Sequence, residues 1–337
     1  MVNRGLEEFL GFILNEFAIK SCLMKYSELH GYKISELTLG TVALGMTYGI
    51  SNSNDKPRKE NSFAVMSLAI KEGINTLDTA RTYGEAEQVI GEFREKTGAG
   101  QFINVVSKFK ISPENLNNKD KARKEIFHSV RTSIRYLRVG VLPIALFHMN
   151  RNLPMDKVLE ILPSVIADLK HEGIIDLAGV SIDHPDEAKL FLDNMEFEVA
   201  QVPVNLFDRR IIDSGMLARM HAEGKIVFAR SVFLQGLFFM NPQKLNGNVR
   251  NGRIYIEQLQ QIAAEAKVSI GELAFSFVNG LEAVTSIVFG AVNQYQIREN
   301  VKMLEASSMN EELRRLIETR FNEIPEQLIT PGLWSVI

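Results

Sequence analysis

The chain has 337 residues, of which 45% are hydrophobic and 23% are charged, and its formal net charge is −3. These values are typical of a globular protein with enough chain for one large barrel or two medium domains, and they offer no basic surface for a nucleic acid or an anionic membrane. Cys22 is the only cysteine, which excludes an intrachain disulfide and favours a reducing compartment, so we expect a cytoplasmic protein.

The first 23 residues are an amphipathic segment, which we interpret as an N-terminal extension of unknown role. Apolar residues recur near helical spacing from Leu6 to Phe17, but glutamates interrupt them and no run is long enough to span a bilayer. We therefore expect neither export nor a membrane anchor. Residues 24–337 are predicted to form a single domain, because no linker rich in Gly, Ser and Pro divides them.

Strand and helix patterns alternate eight times along residues 37–305, after a small hairpin predicted around His30 and Gly31. The predicted strands are 38–43, 74–78, 103–107, 141–147, 177–181, 198–203, 226–230 and 285–289. The predicted helices are 61–72, 85–95, 120–137, 155–172, 185–194, 210–223, 256–267 and 294–305. Eight alternations predict a closed (β/α)₈ TIM barrel rather than an open sheet, with the hairpin as a plug at its bottom.

Two kinds of local signal mark the ends and the long connections of this barrel. Glycines 73, 173 and 224 each follow a glutamate where a helix should stop. The segments 231–254 and 307–337 exceed the usual loop length, so we expect a long loop after strand seven and a C-terminal tail, both lying over the barrel mouth.

Four polar side chains follow neighbouring predicted strands. Asp78 and Tyr83 lie in LDTARTYG after strand two, Lys108 ends strand three in VVSKFK, and His148 ends strand four in ALFHMN. Each alone has an ordinary explanation, as a turn acid, a rim aromatic, a solvated lysine or a structural histidine. Together they predict one site, because the carboxyl ends of barrel strands meet at one rim and that rim carries catalytic groups.

These residues, in this order, resemble the aldo/keto reductase family over about residues 24–300. The resemblance continues through GVS at 179–181, QVPVNLFDRR at 201–210, SVFLQGL at 231–237 and GAVNQYQIREN at 290–300. It implies an NAD(P)H-dependent enzyme that reduces a small-molecule carbonyl substrate, with Tyr83 as the general acid. Lys108 and Asp78 would assist Tyr83, and His148 would orient the substrate oxygen. A nearby ammonium fits this role, because it favours release of the phenol proton.

The resemblance also implies where the cofactor lies. Ser181 and Gln201 would hold the nicotinamide carboxamide, and a helix with Asn293 as its N-cap would face the adenosine phosphate. The other residues expected at the cofactor are Thr41, Arg230, Ser231, Phe233, Gln235, Gly236, Leu237, Gly290, Gln296 and Asn300. NADPH is the default by resemblance, but residues 290–292 carry no cation for a 2′-phosphate, so NADH is also considered.

Two residues depart from the family pattern. Ile182 stands where the family often has asparagine, and Arg230 stands where an aromatic side chain usually stacks on the nicotinamide. A guanidinium plane can also stack, but its charge disfavours the oxidised, cationic ring.

The substrate pocket is expected to include Tyr48, Met149 and Trp334. The stretches TVALGMTYG and RSVFLQGL resemble a subgroup found in bacterial sugar pathways, which suggests a sugar-like substrate. No His-x-x-x-His or Cys-x-x-Cys motif indicates a metal site, and we expect a monomer or a weak homo-oligomer.

Two other functions stay open at this point. One is a cofactor-binding regulatory protein on the same barrel with little turnover. The other is a Schiff-base aldolase with Lys108 as the nucleophile, which would leave Tyr83 and the 290–300 helix unexplained.

Overall fold

A hairpin precedes the barrel in the computed structural model, which describes residues 24–47, 57–149, 153–305 and 309–334. The segment 1–23 and Tyr48 lie outside these ranges. Strands β1 (Tyr26–Leu29) and β2 (Tyr32–Ser35) pair antiparallel. The connecting residues His30 and Gly31 both have positive φ, at 49° and 79°, which is the backbone that a two-residue hairpin turn requires.

The hairpin closes the bottom of a barrel of eight parallel strands in consecutive order, which confirms the predicted fold. These strands are β3 (Leu37–Gly40), β4 (Thr76–Asp78), β5 (Asn104–Phe109), β6 (Leu142–His148), β7 (Ile175–Ser181), β8 (Val199–Pro203), β9 (Ile226–Arg230) and β10 (Ser286–Gly290). Ile34 of β2 is fully buried and packs with Val106, Ile144 and Phe228. The lower barrel is therefore a packed apolar core, and the polar residues at the strand ends lie at the opposite rim.

The helices surround the barrel. They are α1 (Val42–Gly45), α2 (Lys59–Lys71), α3 (Ala86–Thr97), α4 (Lys119–Leu137), α5 (Met155–His171), α6 (Pro185–Leu192), α7 (Arg210–Asp213), α8 (Met216–Ala222), α9 (Arg253–Ala266), α10 (Ile270–Asn279), α11 (Gln294–Lys302), α12 (Glu311–Arg320) and α13 (Glu326–Ile329). Within the described ranges, no helix is both long and apolar enough to cross a membrane.

The predicted helix ends agree with the structure where glycine was the signal. Gly73, Gly173 and Gly224 follow α2, α5 and α8 within two residues and all have positive φ. The helix predicted over 210–223 is wrong as a single element. It breaks into α7 and α8 at Gly215, whose φ of 73° places it in the left-handed region.

Helix α10 was missed although it carries a local start signal. Ser269 accepts a hydrogen bond from the backbone of Glu272, and Glu272 bonds back to the Ser269 amide in a capping box. The long loop after β9 contains three 3₁₀ turns, which are Leu234–Phe239, Pro242–Lys244 and Gly247–Gly252. The tail contains α12, then α13 and a 3₁₀ turn, Pro331–Leu333, that reaches the barrel mouth.

Candidate active site

One cavity of about 890 Å³ opens at the carboxyl ends of the barrel strands. Tyr83 and His148 line one part of it, and Gln296 and Asn300 line another. The tail residues from Ile329 to Leu333 also line it. A cavity of this volume is large enough for a cofactor-sized ligand.

The Lys108 ammonium is buried at one wall of the site and paired with Asp78. Its Nζ donates to both carboxylate oxygens, at 2.7 and 2.8 Å, and to the Thr79 carbonyl at 2.9 Å. Burial disfavours the ammonium, but the attraction of Asp78 and the contact with Tyr83 outweigh it and raise the pKa of Lys108. Lys108 is therefore a fixed positive charge at neutral pH.

Tyr83 lies between this charge and the cavity. The Lys108 Nζ is 3.5 Å from its hydroxyl oxygen and 4.8 Å from its ring centroid. The turn that carries Tyr83 packs tightly on α1, because a Cβ on Gly45 would lie 2.0 Å from the Tyr83 carbonyl oxygen. Only glycine permits this approach, so Gly45 helps to hold the phenol in place.

A second buried carboxylate, which sequence reasoning missed, secures the same turn. Glu87 of α3 is 2% exposed, accepts a hydrogen bond from Arg81 at 2.5 Å and accepts another from Ser107 at 2.6 Å. Arg81 belongs to the Tyr83 turn, and Ser107 precedes Lys108 on β5. Glu87 therefore ties the turn that bears the phenol to the strand that bears the ammonium.

His148 faces Tyr83 across the cavity, with ring centroids 6.4 Å apart at an interplanar angle of 88°. Burial lowers the pKa of His148 to about 3, and the positive charges of Lys108, Lys110 and Arg230 act in the same direction. Its Nδ1 is buried and has no hydrogen-bond partner among the described residues. His148 is therefore a neutral imidazole at neutral pH, and it can donate a hydrogen bond from one ring nitrogen.

The ends of β7 and β8 place two polar side chains, Ser181 and Gln201, beside Tyr83 and His148, and we call these two residues the polar shelf. His148 is level with Ser181 in the register, and Ser181 is level with Gln201. Ser181 Oγ donates to Gln201 Oε1 at 3.3 Å, and Gln201 Nε2 donates to Asp78 at 2.8 Å. The Gln201 amide therefore joins the shelf to the buried ion pair.

Arg230 extends from the end of β9 across this shelf. Its Nη2 donates to the Ile182 carbonyl at 2.7 Å and to the Asp183 carboxylate, and its Nη1 donates to Ser231 Oγ at 3.3 Å. Arg230 and Asp183 both line the cavity. Asp183 therefore compensates the positive charge of Arg230. Asp183 directly follows Ile182, the other residue that departs from the family pattern.

The other part of the cavity is formed by the loop after β9 and by α11. Ser231, Gln235 and Gly236 all have positive φ, at 62°, 51° and 92°, a conformation that concentrates at functional loops when non-glycine residues adopt it. Asn293 is the N-cap of α11, as predicted, and accepts from the Gln296 amide at 3.0 Å.

Asn300 supplies an unused acceptor in this region. Its Nδ2 donates to the Gln296 carbonyl at 2.7 Å, but its buried Oδ1 has no partner among the described residues. An acceptor lining a cavity fits an amino group such as that of an adenine. The cavity lining from residue 290 to 303 contains Glu299 and no lysine or arginine.

Most of the predicted site residues line the cavity. They are Thr41, Asp78, Tyr83, His148, Met149, Ser181, Gln201, Arg230, Ser231, Phe233, Gln235, Gly236, Gly290, Gln296 and Asn300. Lys108 lies behind Asp78, and Leu237 is fully buried away from the lining. Trp334 does not line the cavity either, and its indole donates to the Leu328 carbonyl at 3.3 Å.

Four charged lining residues were missed by sequence reasoning: Lys110, Asp183, Arg210 and Glu299. The first two carry a signal, since Lys110 follows Lys108 by two residues and Asp183 follows Ser181 by two. Residues two apart on a strand share a face, so both could have been placed at the rim. Arg210 and Glu299 lie on helices and carry no such signal.

Comparisons with known proteins point to one family. A model of the aldo/keto reductase family matches residues 36–319. An uncharacterized oxidoreductase of Bacillus subtilis (strain 168) is 25% identical over 297 residues, covering 83% of this chain and 90% of the relative. An Escherichia coli (strain K12) protein named NADH-specific methylglyoxal reductase is 24% identical over 298 residues, covering 80% of this chain and 90% of the relative.

A solved structure has the same fold. An aldo-keto reductase of Bacillus halodurans in its holo form superposes with a TM-score of 0.72 at 22% identity, covering 91% of this chain and 99% of that one. The barrel and the family match together define an oxidoreductase. The chain belongs to the aldo/keto reductase family, whose members use nicotinamide cofactors to reduce small-molecule carbonyl compounds.

Proposed function

We propose that this protein reduces the carbonyl group of a small aldehyde or ketone with NADH, and that Tyr83 is the general acid. The observation that carries the proposal is the position of the Tyr83 hydroxyl, 3.5 Å from the Lys108 ammonium and at the cavity wall opposite a neutral His148. When bound, the cofactor supplies a hydride to the carbonyl carbon. The protein must then supply a proton to the oxygen and stabilise the charge that develops there.

The side chains divide this task. Tyr83 donates the proton, and Lys108 stabilises the phenolate that remains. Asp78 holds Lys108 in place through two hydrogen bonds and is itself held by Gln201. His148 donates a hydrogen bond to the substrate oxygen and aligns it with Tyr83. Because the imidazole is neutral, it orients the oxygen without competing as an acid.

The cavity supports a dinucleotide held between two polar regions. Ser181 and Gln201 would hold the nicotinamide amide, and the free Oδ1 of Asn300 would accept from the adenine amino group. The loop 231–236 would carry the phosphates between them. Every one of these residues lines the same cavity except Leu234.

The adenosine region favours NADH over NADPH. A 2′-phosphate needs a cation, whereas the described lining of this region contains the carboxylate of Glu299 and no cation. Arg298, the cation of α11 that is nearest in sequence to residues 290–292, is exposed and does not line the cavity. The NADH specificity in the name of the Escherichia coli relative supports the same choice.

The burial of Lys108 argues against a Schiff-base aldolase. A nucleophilic lysine must be neutral and must reach the substrate. Lys108 has a raised pKa, three hydrogen bonds to Asp78 and Thr79, and no exposure to the cavity. A purely regulatory role would not require the complete set of groups proposed for proton transfer. That set, which meets at the cavity wall, is Asp78, Tyr83, Lys108 and His148.

A direct assay tests the proposal. Purified protein is titrated with NADH and NADPH while cofactor fluorescence is followed, and the absorbance of the reduced cofactor is then recorded with aldehydes that include methylglyoxal and sugar aldehydes. We expect NADH to bind more tightly and at least one aldehyde to be reduced. Tight binding without turnover of any carbonyl compound would support the regulatory alternative.

A further inference from the structure

Among the described residues, the mouth of the cavity carries a positive charge that no carboxylate compensates and that the reduction of a simple aldehyde does not need. Lys110 lines the cavity, is exposed, and forms no ion pair with any residue that the structure describes. Phe109 pairs with Phe147 on neighbouring strands, so Lys110 and His148, the residues that follow them, lie side by side at the rim and both line the cavity. A substrate held at His148 therefore has a cation within reach of its remaining atoms.

The other cations in this part of the cavity are already neutralised. Arg230 is paired with Asp183, and Arg210 is held by Asp208 through bonds of 2.8 and 2.7 Å. The inner Lys108 is paired with Asp78. Pairing accounts for three of the four cations, which leaves Lys110 as the charge that no described carboxylate compensates.

The remaining carboxylate of the cavity lining lies across the barrel from Lys110. Glu299 belongs to α11, which follows β10, whereas Lys110 follows β5. In the closed strand order, β4 and β3 separate β5 from β10. Glu299 is therefore on the proposed cofactor side, and the described residues of the substrate side carry a net positive charge.

The segment that follows Lys110 is held in place. Glu125 of α4 accepts hydrogen bonds from the Ser112 amide, the Ser112 hydroxyl and the Asn115 side chain. The backbone on both sides of Lys110 is thus fixed, by β5 before it and by Glu125 after it. A fixed backbone confines the lysine to a small region of the cavity mouth and so reduces the entropy lost when it binds an anion.

We propose that Lys110 selects substrates in which the aldehyde or ketone carries a carboxylate or a phosphate group. The inference deepens the proposed carbonyl reduction, because it names the substrate class of the same site. Lys110 contacts the anionic group of the substrate, while His148 and Tyr83 contact the carbonyl oxygen. Both carboxylate and phosphate accept charge-assisted hydrogen bonds from an ammonium, so the chemistry of Lys110 admits either one.

Matched substrate pairs test this proposal and distinguish the two anions. Succinic semialdehyde is compared with butanal for the carboxylate, and glyceraldehyde 3-phosphate is compared with glyceraldehyde for the phosphate. The variant is Lys110→Met, and the control is Lys244→Met, at an exposed lysine that does not line the cavity. For the preferred anion, we expect Lys110→Met to raise KM about tenfold with kcat within about twofold. The uncharged partner and the control variant should show no change.

High ionic strength should raise the KM of the anionic substrate in the native protein and have little effect in Lys110→Met, because salt screens an exposed charge. No preference for either anionic substrate in the native protein would overturn the proposal, and so would an equal effect of Lys110→Met on both members of each pair.

A binding measurement keeps the proposal separate from the activity. Calorimetric titration with butanoate and with inorganic phosphate should show binding of at least one anion to the native protein, weakened about tenfold by Lys110→Met. If this holds while no aldehyde is turned over, the reductase function fails and the anion site stands. If aldehydes are reduced but Lys110→Met changes neither KM nor anion binding, the anion site fails and the reductase stands.

Discussion

The ammonium of Lys108 lies 2.7 Å from one carboxylate oxygen of Asp78 and 2.8 Å from the other, and both side chains are buried. Water therefore cannot solvate either charge if its partner is removed. This pair is the fixed electrostatic element of the site, since Tyr83 contacts its positive end and Gln201 contacts its negative end.

Removing the lysine alone should therefore destabilise the fold. Lys108→Met leaves the Asp78 carboxylate buried without a counterion, and we expect a loss of about 3–5 kcal/mol in the free energy of unfolding. The double variant Asp78→Asn, Lys108→Met should recover most of this stability but no activity. Urea unfolding measures both values. The surface pair of Lys59 and Glu92 is the control, since Lys59→Met should cost at most about 1 kcal/mol. A single variant as stable as the native protein would contradict the buried-pair account.

The neutral His148 predicts a pH dependence of stability. Its pKa is about 3 in the folded protein but near 6.5 in an unfolded chain, so the unfolded state binds more protons as the pH falls. Stability linked to His148 is therefore lost progressively from about pH 6.5 towards pH 3. Between pH 7 and pH 5, the native protein should lose roughly 1–2 kcal/mol more than His148→Gln does. Chemical unfolding at each pH measures the loss of stability in both proteins. Equal losses in the two proteins would show that His148 can be protonated in the folded state.

The ion pair of Arg230 and Asp183 predicts opposite effects on the two redox states of the cofactor. Arg230→Gln removes a positive charge beside the expected nicotinamide position and should favour the oxidised ring. Asp183→Asn leaves that charge uncompensated and should favour the reduced one. The ratio of the dissociation constants for NAD⁺ and NADH should shift in opposite directions in the two variants, by about twofold to fivefold each, which is roughly 0.4 to 1 kcal/mol. Shifts in the same direction would place the nicotinamide away from Arg230.

The adenosine region predicts that cofactor preference can be moved towards NADPH. Val292→Arg would place a cation near the expected 2′-phosphate, and a charge-assisted contact contributes roughly 1.5–3 kcal/mol at best. Fluorescence titration should show tighter NADPH binding relative to NADH. Val268→Arg is the control, because Val268 is exposed and does not line the cavity. An unchanged ratio in Val292→Arg would mean that the 2′ position lies elsewhere.

The barrel could be predicted from sequence because its signals are local and repeated. Each buried strand is a short apolar run, and glycines such as Gly73 and Gly173 end helices by adopting positive φ. Helix α10 was missed although the Ser269 capping box marked its start. The break at Gly215 was missed because a single glycine in a helical pattern is usually tolerated.

The candidate site was predicted in part. Side chains at strand ends could be placed because neighbouring parallel strands end at the same rim of the barrel, as the pairing of His148 with Ser181 illustrates. Contacts between distant segments could not be predicted, because they depend on side-chain reach across the mouth. The bond between Arg230 and Asp183 joins residues 47 positions apart, and the Glu87 contacts depend on how α3 packs against β5.

The central claim is that the Tyr83 hydroxyl gives the proton to the carbonyl oxygen. Its most direct test is the turnover of Tyr83→Phe, which removes that hydroxyl and keeps the ring. We predict a fall in kcat for aldehyde reduction of about 10²-fold or more, with the NADH dissociation constant nearly unchanged. Tyr255→Phe, whose exposed hydroxyl lies 3.5 Å from the Glu323 carbonyl oxygen, should retain full activity. A Tyr83→Phe protein that binds NADH and reduces aldehydes at the native rate would contradict the account.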